Sequence, residues 1–366
     1  MVKYIGSKRA LLPWITGAIE VIHRQEPVRT VADLFSGTAR VGHALKKQGF
    51  YVVSNDLMHY AHVLAQALVE ADAREYGPER LEPILRRLNA LPPRAGWFTR
   101  AYCEQSRYFQ PHNGARIEAI REGLEAEAQG DPLLRAVLLT SLMLAADRVD
   151  STTGIQMAYL KQWAKRSYSD LRLEYPPLLP GRGRALQGDA LEVAKDLEAD
   201  LFYLDPPYNQ HSYLGNYHVW ETLTLWDRPQ TYGVAHKRVD VQERKSAFNL
   251  RREAGEALQR LLGSIRVRHL VVSFNDEGFF GAEAIEAMLR GWGYVHRLSR
   301  PHTRYVGARI GIYNPRGQKV GKVSHTENHE FLFVATHSRK VHEAVARSAR
   351  TAETVPVARS AGTAAG

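Results

Sequence analysis

TVADLFSG (residues 30–37) and FYVVSNDL (residues 50–57) are short apolar runs that each predict a buried strand. Residues 39–49, ARVGHALKKQG, predict the helix between them, with an apolar stripe on one face and a glycine at its end. Strand, helix and strand in this order predict a βαβ unit with parallel strands. The chain is therefore expected to have an α/β fold.

The rest of the sheet is predicted from similar runs further along the chain. Strands are expected at residues 185–189, 200–205 and 269–276, followed by a helix at 281–290. Two late segments, YVHRLSRPHTRYVG and HEFLFVAT, predict an antiparallel pair at the edge of the sheet. The sheet should therefore be mostly parallel, with an antiparallel edge hairpin.

A long helical region separates the second predicted strand from the third. Its helices are expected at residues 60–71, 78–89, 114–128 and 131–148. The tail is rich in alanine, arginine and serine, with few large apolar residues, and this composition favours disorder. We therefore predict a discontinuous sheet domain, a helical insert and a disordered tail, at residues 1–60 with 185–340, 61–184 and 341–366 respectively.

Composition narrows the class of protein. The chain has 366 residues with 44% hydrophobic and 24% charged residues, and none of its apolar runs approaches the roughly 20 residues of a membrane span. A single cysteine, Cys103, excludes an internal disulfide framework and a cysteine-rich zinc site, and no acid–histidine spacing indicates another metal site. We expect a cytoplasmic protein, and its formal charge of +10 favours a polyanionic partner, most simply nucleic acid.

The glycine turn after the first strand is the first candidate ligand site. Asp33 ends this strand, Gly37 forms the turn, and Asp56 ends the next strand roughly 20 residues later. An acid at that spacing can accept hydrogen bonds from ribose hydroxyls. Ala39 stands where a dinucleotide site would have a second glycine, so we expect a ligand with a ribose but no pyrophosphate. A plain βα turn and a helix cap at Asp56 remain the alternatives.

FYLDPPYNQHSY (residues 202–213) is the second candidate site. Its strand ends on Asp205, and Pro206 and Pro207 then fix the backbone φ near −65° while leaving their carbonyl groups free to accept hydrogen bonds. Rigid acceptors beside the ring of Tyr208 suit a planar group that bears an amino donor. The amino group of a nucleic-acid base could donate to Asp205 and to the Pro206 carbonyl while its ring stacks on Tyr208. The alternative is a polyproline-like loop after a strand.

These motifs together resemble those of the alpha-group, Dam-like N6-adenine DNA methyltransferases of restriction–modification systems. The resemblance rests on KYIGSK (3–8), DLFSGT and LDPPY in this order, and covers roughly residues 1–335. Further similar stretches are RYFQPHNGARIEAIR, STTGIQMAYLKQW, NYHVWETL, RKSAF and SFNDEG. The resemblance implies a Rossmann-like S-adenosylmethionine-dependent methyltransferase sheet in which the helical insert contributes to target recognition.

The resemblance also implies the role of individual residues. The cofactor, S-adenosylmethionine, would be contacted by Tyr4, Lys8, Asp33, Phe35, Gly37, Thr38, Asp56 and Asp189. Lys8 would lie near its methionine carboxylate, Asp56 at its ribose and Asp189 near its adenine, although Asp189 could instead cap the following helix. The target adenine would be held by Asp205, Pro206, Pro207 and Tyr208. Ala39 replaces a glycine of many relatives, which should cost little if its backbone φ is negative.

The activity implied is methyl transfer to the N6 amino group of an adenine flipped out of duplex DNA, with a cognate restriction endonuclease as a possible partner. Alternatives are methylation of the N4 amino group of cytosine in DNA, of the N2 amino group of guanine in RNA, or a non-catalytic nucleic-acid binder with the same fold. Methylation at C5 of cytosine is disfavoured because it needs a cysteine nucleophile, and Cys103 lies in the helical insert.

Basic residues after the second candidate site are expected to bind DNA. The protein is accordingly expected to associate with the nucleoid. We predict that the insert and residues 236–252 form the walls of a cleft on the side of the sheet where Asp205 lies. Lys245 and Ser246 are expected to contact the DNA backbone close to the flipped base, and Arg304 and Arg309 to lie near the floor of the cleft. The alternative is that these charges form a solvated face.

Overall fold

A seven-stranded sheet forms the centre of the computed structural model, which describes residues 1–4, 6–303, 312–313, 319–321 and 327–353. The strands follow the order β3-β2-β1-β4-β7-β11-β8 across the sheet. Their bounds are β1 Thr30–Asp33, β2 Tyr51–Asp56, β3 Arg184–Gln187, β4 Leu201–Leu204, β7 His269–Asn275, β8 Tyr294–Thr303 and β11 Glu327–Thr336. Two small two-stranded sheets lie outside it and are formed by β5 Thr231–Tyr232 with β6 Lys237–Arg238, and by β9 Ile312–Tyr313 with β10 Lys319–Gly321.

Strand direction confirms the predicted sheet. The first five strands in this order are parallel, whereas β11 pairs in antiparallel fashion with both β7 and β8. All residues of β4 and β7 are buried, as expected for parallel strands covered on both faces. Side chains alternate between the two faces, so that Val31 and Tyr203 join one hydrophobic cluster while Ala32 and Phe202 join the other.

Helices cover both faces of the sheet. They are α1 Leu12–Gln25, α2 Arg40–Lys47, α3 His59–Ala65, α4 Pro78–Ala90, α5 Trp97–Thr99, α6 Pro111–Ala128, α7 Pro132–Arg148, α8 Ala190–Asp196, α9 Tyr213–Asn216, α10 His218–Leu225, α11 Ala254–Ser264, α12 Ala282–Arg290 and α13 Arg339–Glu353. π-helical segments extend α3 and α5, at Gln66–Glu70 and Arg100–Gln105. Short 3₁₀ turns occur at Lys8–Ala10, Lys165–Tyr168, Val239–Gln242 and Ala247–Asn249. No helix within these described ranges has the length and apolar character needed to cross a membrane.

The region between β2 and β3 is helical, as predicted. Its longest apolar helix, α7, is buried on nearly all sides. Leu64 of α3 and Leu138 of α7 belong to the same hydrophobic cluster as Val52 of β2. The insert therefore shares one core with the sheet, and its role in target recognition stays a prediction.

The predicted disorder from residue 341 is wrong as far as residue 353, because α13 extends to Glu353. Val341 and Val345 are spaced four residues apart and are both buried, so a few apolar positions at helical spacing attach this segment to the core. The helix packs against α1. The prediction overlooked this stripe because alanine and arginine dominate the composition. Residues 354–366 lie outside the described part of the chain.

Candidate active site

A cavity lies at the carboxyl ends of the parallel strands. Asp33 ends β1, Asp56 ends β2, and Asp205 follows β4 directly. Asp189 follows β3 after one further residue. The cavity encloses about 980 Å³ of empty space, part of it open to solvent, which lies within the range of about 300–1,000 Å³ of small-molecule sites. Because neighbouring parallel strands end at one edge of a sheet, four acids separated in sequence converge here.

Most of the predicted site residues line this cavity. They are Tyr4, Lys8, Asp33, Phe35, Gly37, Thr38, Asp56, Asp189, Asp205, Pro207 and Ser246. Pro206, Tyr208 and Lys245 are not part of its lining, although each adjoins a residue that is. Arg304 and Arg309 lie outside the described residues. Within the described part of the chain, no group of three or more histidine, cysteine or acidic side chains could hold a metal ion.

The turn after β1 has left-handed backbone at two positions. Gly37 has φ +51°, and a Cβ there would lie 3.3 Å from the ring of Tyr4. Ala39 has φ +55°, so the condition under which its replacement of glycine would cost little is not met. Its N–H donates to the Ser36 carbonyl (2.8 Å) and its side chain is fully buried. The tight turn imposes this conformation, and Ala39 tolerates a backbone that a glycine would adopt without strain.

Asp56 both builds the turn and faces the cavity. Its Oδ2 accepts a hydrogen bond from the Gly37 N–H (2.8 Å), and its Oδ1 accepts one from the Met58 N–H (2.9 Å) at the start of α3. Burial raises the pKa of Asp56 to about 6, against these hydrogen bonds, which favour the ionised form. Asp189 caps α8 by accepting from the Leu191 N–H (2.9 Å), so the capping alternative is correct for Asp189. The N-cap position of α3 is Met58, so Asp56 is not the cap of that helix. Both acids line the cavity.

Asp33 has weaker support. It is 1% exposed, and neither carboxyl oxygen receives a hydrogen bond of normal geometry from the described residues, although the backbone N–H groups of Gly42 and Phe35 lie close enough to favour its ionised form in part. Burial is the main cause that raises the pKa of Asp33 to about 8, and the carboxylates of Asp205 and Asp56 add to the rise.

Asp205 is paired with Lys8. The Lys8 Nζ lies 3.1 Å from Asp205 Oδ1 and 3.9 Å from Glu330 Oε2. Burial alone would lower the pKa of Lys8, but these two carboxylates outweigh it and hold that pKa above its usual value. Burial raises the pKa of Asp205, and Lys8 opposes that rise. Sequence reasoning placed Lys8 in the site but did not predict this pair.

β7 and the loop after it hold Tyr208. The Tyr208 ring packs against Phe274, with ring centroids 5.2 Å apart, and its hydroxyl accepts a hydrogen bond from Asn275 Nδ2 (2.8 Å). Its carbonyl accepts from the Phe279 N–H (2.7 Å). The Lys8 Nζ lies 6.0 Å from the ring centroid, so Tyr208 is held close to the Lys8–Asp205 pair.

The tyrosines that surround the predicted residue Tyr4 were not themselves predicted. Tyr4 stacks on Tyr217 and Tyr213, with centroid distances of 4.5 Å and 5.3 Å, and its hydroxyl lies 3.3 Å from that of Tyr60. Tyr213 lines the cavity with Tyr4. The closely spaced tyrosines after LDPPY were a signal that could have identified them.

Residues 244–249 also reach the cavity, and sequence reasoning selected Ser246 but not Arg244, Phe248 or Asn249 among its lining residues. Arg244 lines the cavity and donates to Glu221 Oε1 (2.6 Å), a carboxylate buried within α10. Phe248 packs edge-to-face on Phe35 at 5.2 Å. Asn249 Nδ2 donates to the Asn209 carbonyl (2.9 Å) and so fixes the loop after Tyr208. An acid in the apolar helix NYHVWETL was the available signal for the Glu221–Arg244 pair.

Comparisons with known proteins agree with this geometry. The chain is 30% identical to the type II methyltransferase M.FokI of Planomicrobium okeanokoites over 351 residues, 90% of this chain and 52% of M.FokI. It is 29% identical to the modification methylase StsI of Streptococcus sanguinis over 320 residues, 83% of this chain and 48% of StsI. Identity to the type II methyltransferase M.NlaIII of Neisseria lactamica is 28% over 321 residues, 82% of this chain and 92% of M.NlaIII.

The chain thus spans about half the length of M.FokI and StsI. A family model for the D12 class N6 adenine-specific DNA methyltransferases matches residues 4–287, which include every residue assigned above to the cavity. That match covers more than half of the chain. This chain belongs to the D12 class N6 adenine-specific DNA methyltransferase family.

Proposed function

We propose that this protein transfers a methyl group from S-adenosylmethionine to the N6 amino group of adenine at a specific sequence in duplex DNA. The observation that carries the proposal is the position of Asp205 and Pro207 in the same cavity as Asp33 and Asp56. A motif proposed to hold a base and an acid proposed to bind a ribose would thus share one space of the size that small ligands occupy.

The residues of the cavity fit the proposed cofactor. Asp56 could accept hydrogen bonds from a ribose, and the unpaired oxygens of Asp33 suit a positively charged group. Gly37 leaves open a space beside Tyr4 that a Cβ would narrow. Tyr4, Lys8, Phe35, Thr38 and Asp189 would complete the binding site. When bound, the cofactor supplies a methyl group activated by a sulfonium.

The chain's own part in the reaction is to hold the target amino group. Asp205 keeps 18% of its side chain exposed and would accept one amino hydrogen, while the Pro206 carbonyl accepts the other and Tyr208 stacks on the base. Lys8 helps to keep Asp205 ionised, and therefore able to accept, because it opposes the effect of burial on the Asp205 pKa. An adenine within a duplex must leave the base stack to reach this position.

The basic residues after α10 support the proposed DNA contacts. Lys245 is exposed and stands between the cavity residues Arg244 and Ser246. Arg251 and Arg252 line a second depression that shares Asn249 with the cavity. The helical insert, and Arg304 and Arg309 of the late segment, would contribute further contacts. We also propose a cognate restriction endonuclease as partner and chromosomal DNA at the nucleoid as the substrate.

Family membership favours adenine in DNA over the amino groups of cytosine in DNA or guanine in RNA. The intact acid, prolines and tyrosine at 205–208 argue against a protein that only binds nucleic acid.

The test is to incubate the purified protein with S-adenosylmethionine and either a duplex DNA library or RNA, and to identify methylated nucleosides by mass spectrometry. We expect N6-methyladenine from DNA, abolished in Asp205→Ala while cofactor binding persists. Asp170→Ala is the matched control, because this acid has 91% of its side chain exposed and does not line the cavity. N4-methylcytosine, a methylated guanine or no methylated base would contradict the proposal.

A further inference from the structure

The carboxyl group of Asp33 is the most deeply buried of the four acids in the cavity wall. Asp189 is exposed and Asp56 and Asp205 are partly buried, whereas Asp33 is 1% exposed. Asp56 and Asp189 accept backbone hydrogen bonds and Asp205 faces Lys8, but neither oxygen of Asp33 receives a hydrogen bond of normal geometry within the described chain. A buried carboxylate without such support is unstable, so its charge must be neutralised in some way.

No cation among the described residues is placed to neutralise Asp33. Lys8 is paired with Asp205, and Arg40 on α2 directs Nη2 toward the Val2 carbonyl (3.4 Å). The neighbouring carboxylates on both sides make a charge on Asp33 still less favourable. The other titratable or charged groups that line the cavity are Tyr4, Lys8, Arg40, Asp56, Asp189, Tyr203, Asp205, Tyr213 and Arg244.

We propose that Asp33 carries a proton in the free protein and releases it when a ligand brings a positive charge into the cavity, so that Asp33 selects cationic ligands. The carboxyl O–H bond breaks, its proton passes to solvent, and the resulting carboxylate forms an ion pair with the ligand cation. The inference rests on the proposed function, in which the ligand is S-adenosylmethionine. That ligand has two candidate cations, an ammonium and a sulfonium.

The sign of the pH dependence follows from the raised pKa of Asp33, about 8 in the free protein. At pH 7 the protonated form exceeds the ionised form by about tenfold, so binding should release about 0.9 proton. Because the proton must leave before the ion pair forms, affinity should rise by up to about tenfold per pH unit below pH 8 and level off above it. Asp56, whose pKa lies near 6, still titrates below pH 7, so the pH dependence measured from pH 7 upward is the part that reports on Asp33.

Calorimetry in two buffers with different ionisation enthalpies, both at pH 7, measures the number of protons released. We expect release with S-adenosylmethionine and none with neutral 5′-methylthioadenosine, which lacks both cations. S-adenosylhomocysteine keeps the ammonium alone, so release with it identifies the ammonium as the partner, and no release identifies the sulfonium. Binding of S-adenosylmethionine without proton release, or equal release with 5′-methylthioadenosine, overturns the inference. If S-adenosylmethionine does not bind at all, the proposed function fails instead.

Asp33→Asn separates this role from a structural one, because asparagine has nearly the shape of a protonated carboxyl group but cannot ionise. It should abolish proton release, remove the pH dependence of affinity between pH 7 and 8.5, and weaken binding about tenfold at pH 8. Asp170→Asn is the matched control, since this acid has 91% of its side chain exposed, does not line the cavity and should retain proton release. Undiminished release from Asp33→Asn would exclude Asp33 as the source. If that variant does not fold, comparing proton release with the three ligands on the unaltered protein still tests whether binding of a cation releases a proton.

Discussion

At the scale of single residues, the positive charge of Lys8 helps to determine whether Asp205 is ionised. Burial raises the pKa of Asp205 and Lys8 opposes the rise. Removing the ammonium should therefore raise that pKa further and leave less of Asp205 able to accept a hydrogen bond at neutral pH. For Lys8→Met we expect a methylation rate at least tenfold lower at pH 7, partly recovered at higher pH. Rates measured from pH 6 to 9 test this.

Lys8→Arg is the control for this prediction, because it keeps the positive charge. Its pH profile should resemble that of the parent more closely than the profile of Lys8→Met does. The resemblance implied another role for Lys8, which is to bind the methionine carboxylate of the cofactor. In that case Lys8→Met should weaken cofactor binding but leave the pH profile of the cofactor-bound enzyme unchanged.

Gly37 provides a second test at this scale. Alanine at φ +51° costs about 1–2 kcal/mol of backbone strain, and its Cβ would lie 3.3 Å from the Tyr4 ring at the cavity wall. Gly49→Ala is the matched control, since Gly49 also has a positive φ (+93°) but no atom within 4 Å of an added Cβ. Urea unfolding should show a similar loss of stability in both variants. Calorimetry should show at least tenfold weaker S-adenosylmethionine binding in Gly37→Ala alone, and equal affinities would contradict a cofactor site at this turn.

At the scale of secondary-structure elements, the sequence was informative wherever the signal was local. Apolar runs that end on Asp33, Asp56 and Asp205 predicted the strands and the edge of the sheet where the acids converge, because strand direction follows from the βαβ order. Pairing between distant segments was not predictable in this way. The Arg244–Glu221 bond joins a loop to a helix, and only the fold shows that they meet.

The left-handed backbone at Ala39 also escaped prediction, since alanine gives no sign of a positive φ. The error at α13 has a different cause. Composition was averaged over the whole tail, although two apolar side chains at helical spacing are enough to attach a helix to an existing core.

Helix α13 can be tested through Val341, which is fully buried. Truncation to alanine removes two methyl groups from a packed core, and Val341→Ala should lower the free energy of unfolding by about 1–3 kcal/mol. Arg339→Ala, on an exposed position of the same helix, should change it by less than about 0.5 kcal/mol. Equal, small effects of the two substitutions in urea denaturation would mean that residues from 341 onward do not pack as α13.

At the scale of the whole molecule, the formal charge of +10 leaves cations free for a polyanion. Many arginines are paired, for example Arg290 with Glu286 (2.6 Å). In contrast, no ion pair is recorded within the described residues for Lys245 or Arg252, which lie next to the cavity and in the adjacent depression. Charges that stay unpaired beside a candidate active site are available to contact phosphates.

The salt dependence of DNA binding distinguishes these contacts from a solvated surface. Each neutralised phosphate contributes about −0.9 to the slope of log affinity against log salt concentration. Lys245→Ala and Arg252→Ala should each flatten that slope by about one unit and weaken binding to all sequences to a similar extent. Arg290→Ala is the control and should leave the slope unchanged, because Glu286 already pairs with that charge. Fluorescence anisotropy with duplexes from 50 to 300 mM salt gives the slopes. If the Lys245 and Arg252 variants keep the parent slope, these residues are a solvated face, and the DNA must approach the cavity from another side.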